Sequence, residues 1–112
     1  MLVRSVAALL LLIIFLSPGA AQEPTQADRG HALVERMCAE CHAVGAAGQS
    51  RHPNAPPFRQ LRRLLDFESL VGRLREGLMV AHPDMPTFRF TRQEANAIAA
   101  YLMALQPEPG PE

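Results

Sequence analysis

The chain lacks tryptophan and lysine, contains one tyrosine and two cysteines, and carries no excess of charge of either sign. Two cysteines are too few for a disulfide-rich scaffold. The 11 basic residues are all arginine and balance 11 acidic residues, so the basic excess typical of nucleic-acid-binding proteins is absent. A chain of 112 residues forms one domain at most, which excludes barrel enzymes, kinases and two-domain dinucleotide-binding enzymes.

The longest apolar run lies near the N-terminus. Residues 6–16 are all apolar; Arg4 precedes them, and the small residues 19–21 follow a Ser-Pro pair. This order is typical of a secretory signal, and the run is shorter than the roughly 20 residues that a membrane span needs. We predict that residues 1–21 are a cleaved signal peptide and that the rest of the chain is exported. An uncleaved anchor formed by residues 5–22, which carry no charge, is the alternative.

The exported part has few side chains with which to build a core. After residue 21 the chain has 91 residues, of which only 23 are apolar residues other than alanine and cysteine. Such a composition predicts a thin core. We therefore expect a bound group to contribute apolar volume to the fold.

The exported part is predicted to be all-α, because apolar residues recur at helical spacing and no strand pattern or repeat is present. Thr25 and Asp28 are typical of a helix start, and Thr91 with Glu94 forms a capping-box pattern. Asp66 is expected to cap the third helix, which Gly77 ends. The predicted helices span about 26–39, 58–65, 67–76 and 92–105. The domain is expected to cover residues 22–106, with a flexible Pro-rich tail at 107–112.

The only two cysteines lie in the segment Cys38-Ala39-Glu40-Cys41-His42. The spacing C-x-x-C-H is the attachment sequence for c-type haem. Two thiols three positions apart can form thioethers to the two vinyl groups of one porphyrin, and the adjacent His42 can then bind the iron. The sequence therefore predicts one haem c, attached through Cys38 and Cys41.

Three other interpretations of this cysteine pair compete with haem attachment. A thioredoxin-like redox pair is expected in a βαβ context, which the sequence lacks. A structural zinc site needs two further ligands at suitable spacing, and the scattered histidines do not supply them. A simple disulfide is the third alternative.

A six-coordinate haem needs a second axial ligand from the opposite side. Met85 is favoured because it lies far along the chain in the Pro-flanked loop 81–86, which can hold a thioether rigidly. Met79 and His82 are the next candidates. The alternative for any single methionine is that it serves only as core filler. The other candidates are Met37, Met103, His31 and His52.

The chain resembles the class I cytochromes c over nearly all of its exported part. The residues that carry the resemblance are Gly30, Val34, the C-x-x-C-H segment, Pro56, Phe58, Met85-Pro86 and 98–102. The resemblance implies the cytochrome c fold, with about four short helices around one haem and a close crossing of the first and last helices at Gly30. It also implies that the Pro56 carbonyl accepts a hydrogen bond from Nδ1 of His42, which raises the basicity of the imidazole. Pro57 is the neighbouring alternative acceptor.

The function implied is one-electron transfer in the periplasm by a monohaem carrier that is not an enzyme. Both axial positions would be filled by His42 and Met85, which leaves a substrate no open position on iron. The expected partners are redox proteins: a donor dehydrogenase or cytochrome complex, and an acceptor oxidase or reductase. Nucleic acid is not expected, and a membrane only if the N-terminal segment is uncleaved.

Two alternatives for the function stay open. The chain could be a cytochrome subunit bound permanently to a larger redox enzyme. It could also be a ligand-binding haem protein if the Met85 ligand is labile. The arginines at 59, 62, 63, 73 and 75 could form a cationic docking patch, although a solvated helix face with interspersed acidic residues is the preferred interpretation.

Overall fold

The computed structural model of the chain describes residues 19–77 and 84–108. The apolar run 6–16, the ligand candidates Met79 and His82, and the end of the tail at 109–112 lie outside these residues. Within the two described ranges, no helix is long and apolar enough to cross a membrane.

The fold is all-α, which confirms the predicted class, and the described residues contain no strand. Within the two described ranges, three α-helices and one 3₁₀ helix follow one another. They are α1 (Gln26–Cys38), the 3₁₀ helix η1 (Phe58–Arg63), α2 (Leu70–Glu76) and α3 (Arg92–Leu105).

Helices α1 and α3 begin as the sequence predicts, each with a capping box. The Thr25 hydroxyl accepts from the Asp28 amide, and the Asp28 carboxylate accepts from the Thr25 amide at 2.8 Å. Thr91 and Glu94 repeat this reciprocal pair at the start of α3. Each box satisfies backbone amides that have no partner within the first turn of the helix.

The middle of the chain is less regular than the apolar spacing predicts. Residues 58–63 form a 3₁₀ helix, and α2 begins at Leu70 rather than near residue 67. Asp66 does not cap α2; its carboxylate accepts from the amide of Glu68 at 3.0 Å and so forms a turn ahead of the helix. Gly77 ends α2 with φ of 101°, a conformation in which glycine avoids the strain of a side chain.

The fold is organised by the crossing of α1 and α3. Gly30 lies at the crossing point, where a Cβ atom would overlap the backbone carbonyl of Ala97 and come within 2.9 Å of the Tyr101 Cβ. Only glycine permits this approach, as expected from the resemblance. The surrounding core is the buried cluster of Val34, Val44, Phe58, Leu61, Leu70, Leu74, Phe90, Ala95, Ile98, Ala99 and Leu102.

Candidate functional site

The C-x-x-C-H segment lies where α1 ends. Cys38 is the last residue of the helix, and its carbonyl accepts from the amides of Cys41 at 3.2 Å and His42 at 2.9 Å. These two bonds close a tight turn. The turn reverses the chain directly after the helix and brings both thiols and the imidazole to one end of α1.

The imidazole of His42 is held by the segment that precedes η1. Its Nδ1 lies 2.8 Å from the carbonyl oxygen of Pro56, so the hydrogen bond expected from the resemblance is present, and Pro57 is not the acceptor. Because Nδ1 donates to a carbonyl, the proton is fixed on Nδ1. The lone pair is thereby left on Nε2, where it can bind a metal.

Phe58 supports the other side of this arrangement. Its amide donates to the carbonyl of Ala43 at 2.9 Å, next to His42 in the chain. Its ring lies with its centroid 4.8 Å from that of the His42 ring, tilted by 41°. The imidazole is therefore restrained both at Nδ1 and across its face.

The two cysteines are free thiols in the structure. Burial, with a smaller contribution from Cys41, raises the pKa of the Cys38 thiol to about 11. A redox-active cysteine pair instead depends on a lowered thiol pKa, so this environment disfavours the thioredoxin-like interpretation. It suits an uncharged sulfur, such as a thioether, which loses little when it is desolvated.

The donor groups fit covalently attached haem c better than zinc. Among residues 19–77 and 84–108, no three side chains of His, Cys, Asp or Glu converge as a metal-ion site would require. One neutral imidazole nitrogen and two thiols at C-x-x-C-H spacing are instead the set that haem c uses.

Met85 is half-buried and directly follows the turn residue Asp84. The side chains of His52 and Asp84 approach to 3.3 Å, and the His52 amide donates to the carbonyl of Cys41 at 3.1 Å. His52 therefore connects the attachment turn to the residue before Met85. The sequence gives no local signal for this link, because the two residues are distant in the chain.

The remaining ligand candidates lie elsewhere in the fold. Met37 packs against the core from α1, and Met103 is 55% exposed on α3. His31 stacks on Tyr101 with ring centroids 4.7 Å apart and pairs with Glu35 at 3.4 Å. The contacts of Met37 and His31 account for these two side chains without a role at the metal, and Met103 faces solvent.

Two further residues support the site: Tyr101, which lies in the segment 98–102 that carries the resemblance, and Gln106, which was not singled out from the sequence. The hydroxyl of Tyr101 donates to the carbonyl of Val44, two residues beyond His42. Gln106 is buried at 7% exposure and forms three hydrogen bonds with its side chain. The sequence does contain a signal for Gln106. The residue lies four positions after Leu102, where the apolar face of α3 would continue, so its side chain is expected to be buried.

Comparison with known proteins places these features in a family. Residues 25–102 match the family described as cytochrome c oxidase, cbb3-type, subunit III. Over 83 residues the chain is 40% identical to cytochrome c-552 of Bradyrhizobium diazoefficiens, covering 72% of this chain and 78% of that protein. No solved structure gave a significant match. Proteins of this family carry covalently bound haem c and exchange electrons with redox partner proteins. The chain therefore belongs to the small class I c-type cytochromes.

Proposed function

We propose that this cytochrome is a monohaem one-electron carrier of the periplasm, with His42 and Met85 as the axial ligands of iron. Cys38 and Cys41 would form the two thioethers. The observation that carries the proposal is the hydrogen bond from Nδ1 of His42 to the Pro56 carbonyl. When bound, haem c supplies a single iron that alternates between the ferric and ferrous states.

His42 is oriented for this role by the protein alone. The Pro56 carbonyl holds the proton on Nδ1 and increases the electron density of the ring, which makes Nε2 a stronger donor to a metal. Phe58 limits rotation of the ring by packing at 4.8 Å between centroids. A ligand that is fixed in advance needs little rearrangement when the charge on the metal changes.

Met85 is proposed as the second ligand because its segment is connected to the attachment turn. The His52–Asp84 contact of 3.3 Å restrains the residue next to Met85, and Pro86 limits the backbone after it. A thioether favours ferrous iron, so Met/His ligation raises the reduction potential relative to two nitrogen ligands. With both ligands supplied by the chain, no axial position is left for a substrate.

The proposed compartment follows from the N-terminal signal pattern together with the covalent attachment. Residues 1–21 would be removed on export, leaving the domain at 22–106 and the short Pro-rich tail. Two thioethers keep the cofactor bound outside the cytoplasm without dependence on a free supply of haem. The partners would be a donor dehydrogenase or cytochrome complex and an acceptor oxidase or reductase.

A second candidate is a cytochrome subunit bound permanently to an oxidase. The description of the matching family, which names a subunit of a cbb3-type oxidase, favours it. Purification under mild conditions distinguishes the two: a free carrier elutes alone, whereas a bound subunit elutes with the oxidase.

Replacing Met85 tests the ligand assignment. We expect Met85→Ala to keep the covalent haem, to lose the near-infrared sulfur-to-iron band of the ferric protein, and to lower the reduction potential. Met103→Ala is the matched control, because Met103 is largely exposed on α3 and its loss should change neither property. An unchanged band in Met85→Ala would refute this assignment and make Met79 or His82 the next ligand to test.

A further inference from the structure

Gln106 lies outside the haem-binding motif, yet it contacts the segment that holds His42. It is the residue that follows α3, and its side chain is buried although its neighbour Pro107 is exposed. A buried amide is costly unless its hydrogen-bonding groups are satisfied. Each of the two polar atoms of this side chain has a partner in the structure.

The partners of Gln106 are backbone groups of η1 and α3. Its Nε2 donates to the carbonyl of Phe58 at 2.8 Å and to that of Leu102 at 2.8 Å. Its Oε1 accepts from the amide of Arg62 at 2.9 Å. The side chain therefore connects the end of the last helix to the start of the 3₁₀ helix.

The two groups of η1 that Gln106 contacts are four residues apart. In an α-helix, the Arg62 amide would donate to the Phe58 carbonyl. The side-chain amide of Gln106 bonds to both of these groups and so replaces the i→i+4 bond that an α-helix would form here. This explains why residues 58–63 form a 3₁₀ helix although their apolar spacing predicts an α-helix.

Both backbone groups of Phe58, its amide and its carbonyl, are thus hydrogen-bonded. Its amide donates to Ala43 at 2.9 Å, its carbonyl accepts from Gln106, and its ring packs against His42. Pro56, whose carbonyl accepts from Nδ1 of His42 at 2.8 Å, lies only two residues earlier. A shift of η1 would move both supports of the imidazole together.

We infer that Gln106 is a positioning residue that fixes the orientation and basicity of the His42 imidazole through η1. The inference rests on the proposed role of His42 as an axial ligand. If Gln106 is lost, η1 gains the freedom to form its own α-helical bond, and the bond from Nδ1 to Pro56 weakens. A less basic imidazole stabilises ferric iron less, so the reduction potential should rise.

The test uses Gln106→Leu in the haem-loaded protein, since leucine has a similar size and no hydrogen-bonding group. We expect the Nδ1 proton of His42 to exchange with solvent about tenfold faster, as the weakening of its own hydrogen bond to the Pro56 carbonyl implies. The reduction potential should rise while the sulfur-to-iron band stays. Leu105→Ala is the matched control, because it removes a partly buried side chain beside Gln106 and leaves the hydrogen bonds of Gln106 to η1 in place.

Gln106→Glu keeps the test decisive if the leucine variant does not mature. At neutral pH the new carboxylate can accept from Arg62 but cannot donate to Phe58, so exchange at Nδ1 should again be faster. Acidification should slow it towards the wild-type rate, because a protonated carboxyl can donate to the Phe58 carbonyl.

Two results are to be distinguished. Exchange rates and potentials in both Gln106 variants that equal those of Leu105→Ala would overturn the inference and leave the proposed function standing. A wild-type protein whose haem shows no histidine-ligand signals would instead refute the proposed function, and the inference with it.

Discussion

The two ends of α1 are stabilised in different ways. Towards its N-terminal half, Gly30 and Val34 pack directly against α3, and the chain's own side chains fill the contact. At its C-terminal end, the attachment turn is held mainly by hydrogen bonds to loops, such as those from His42 to Pro56 and from His52 to Cys41. The first region is therefore close-packed by the chain's own side chains. The second region is a hydrogen-bonded segment that is arranged to bind a cofactor.

This difference shows which part of the fold depends on haem. Helices of 13 and 14 residues are marginally stable in isolation, so the crossing needs the rest of the core. The loops around His42 and Met85 contribute hydrogen bonds but few large apolar side chains. The covalent cofactor is therefore expected to supply the missing apolar volume, as the composition of the chain after residue 21 predicts.

The largest effect is expected at the attachment turn. His42→Ala should abolish normal maturation, and Cys38→Ala or Cys41→Ala should leave a single thioether and sharply reduce the yield of haem-containing protein. Haem-stained gels and the pyridine haemochrome spectrum measure both effects. Gln49→Ala, an exposed substitution in the next loop, is the control and should mature normally; full yield in the cysteine variants would contradict the assignment of the turn.

Removal of haem should show how much structure each of the two regions keeps without the cofactor. A chain produced without haem is expected to be largely unfolded, with residual helicity confined to the capped segments of α1 and α3. Circular dichroism during heating and hydrogen exchange measure this. A compact apoprotein with a cooperative melting transition would show that the chain's own core suffices.

The helix crossing can be disrupted separately. Gly30→Ala places a methyl group against the Ala97 carbonyl, so we expect the free energy of unfolding to fall by about 2 kcal/mol, typical of overpacking. Gly72→Ala is the matched control, because Gly72 lies in α2 with nothing within 4 Å of a new Cβ. That substitution should stabilise the protein by up to about 1 kcal/mol through helix propensity. Denaturant unfolding of the haem-loaded variants should show opposite signs, and equal signs would argue against the close crossing.

The smallest effect concerns Tyr101, which joins the two regions by donating to the Val44 carbonyl from α3. Tyr101→Phe should cost about 1 kcal/mol at neutral pH, the net value of one hydrogen bond. Burial, and to a lesser extent the charge of Glu35, raises the pKa of the Tyr101 hydroxyl. The contribution of the Tyr101 hydroxyl to the free energy of unfolding is therefore fully present below the ordinary tyrosine pKa of about 10. It is lost as the pH rises through the raised pKa. Urea unfolding should show that the difference between wild type and variant shrinks at alkaline pH; a constant difference would contradict this account.

The sequence was most informative where local chemistry decides structure. The two capping boxes, the end of α2 at Gly77 and the start of α3 at Arg92 depend on neighbouring residues, and they follow the pattern. The all-α class followed from the helical spacing of the apolar residues, the covalent haem from the C-x-x-C-H segment, and the cytochrome c fold from the resemblance.

The sequence was least informative where distant segments meet. Residues 58–63 have α-helical spacing, but the side chain of Gln106 takes the two backbone groups that the helix would use. The contact between His52 and Asp84 joins residues far apart in the chain. Neither of these two contacts can be read from a local sequence pattern, because each joins segments that are far apart in the chain.

The most direct test of the central claim is the absorption spectrum of the periplasmically matured protein. The account predicts a pyridine haemochrome typical of two thioether bonds and a low-spin ferric spectrum with a near-infrared sulfur-to-iron band. A high-spin ferric spectrum at neutral pH, with no such band, would contradict the assignment of His42 and Met85 as the two ligands of an electron carrier.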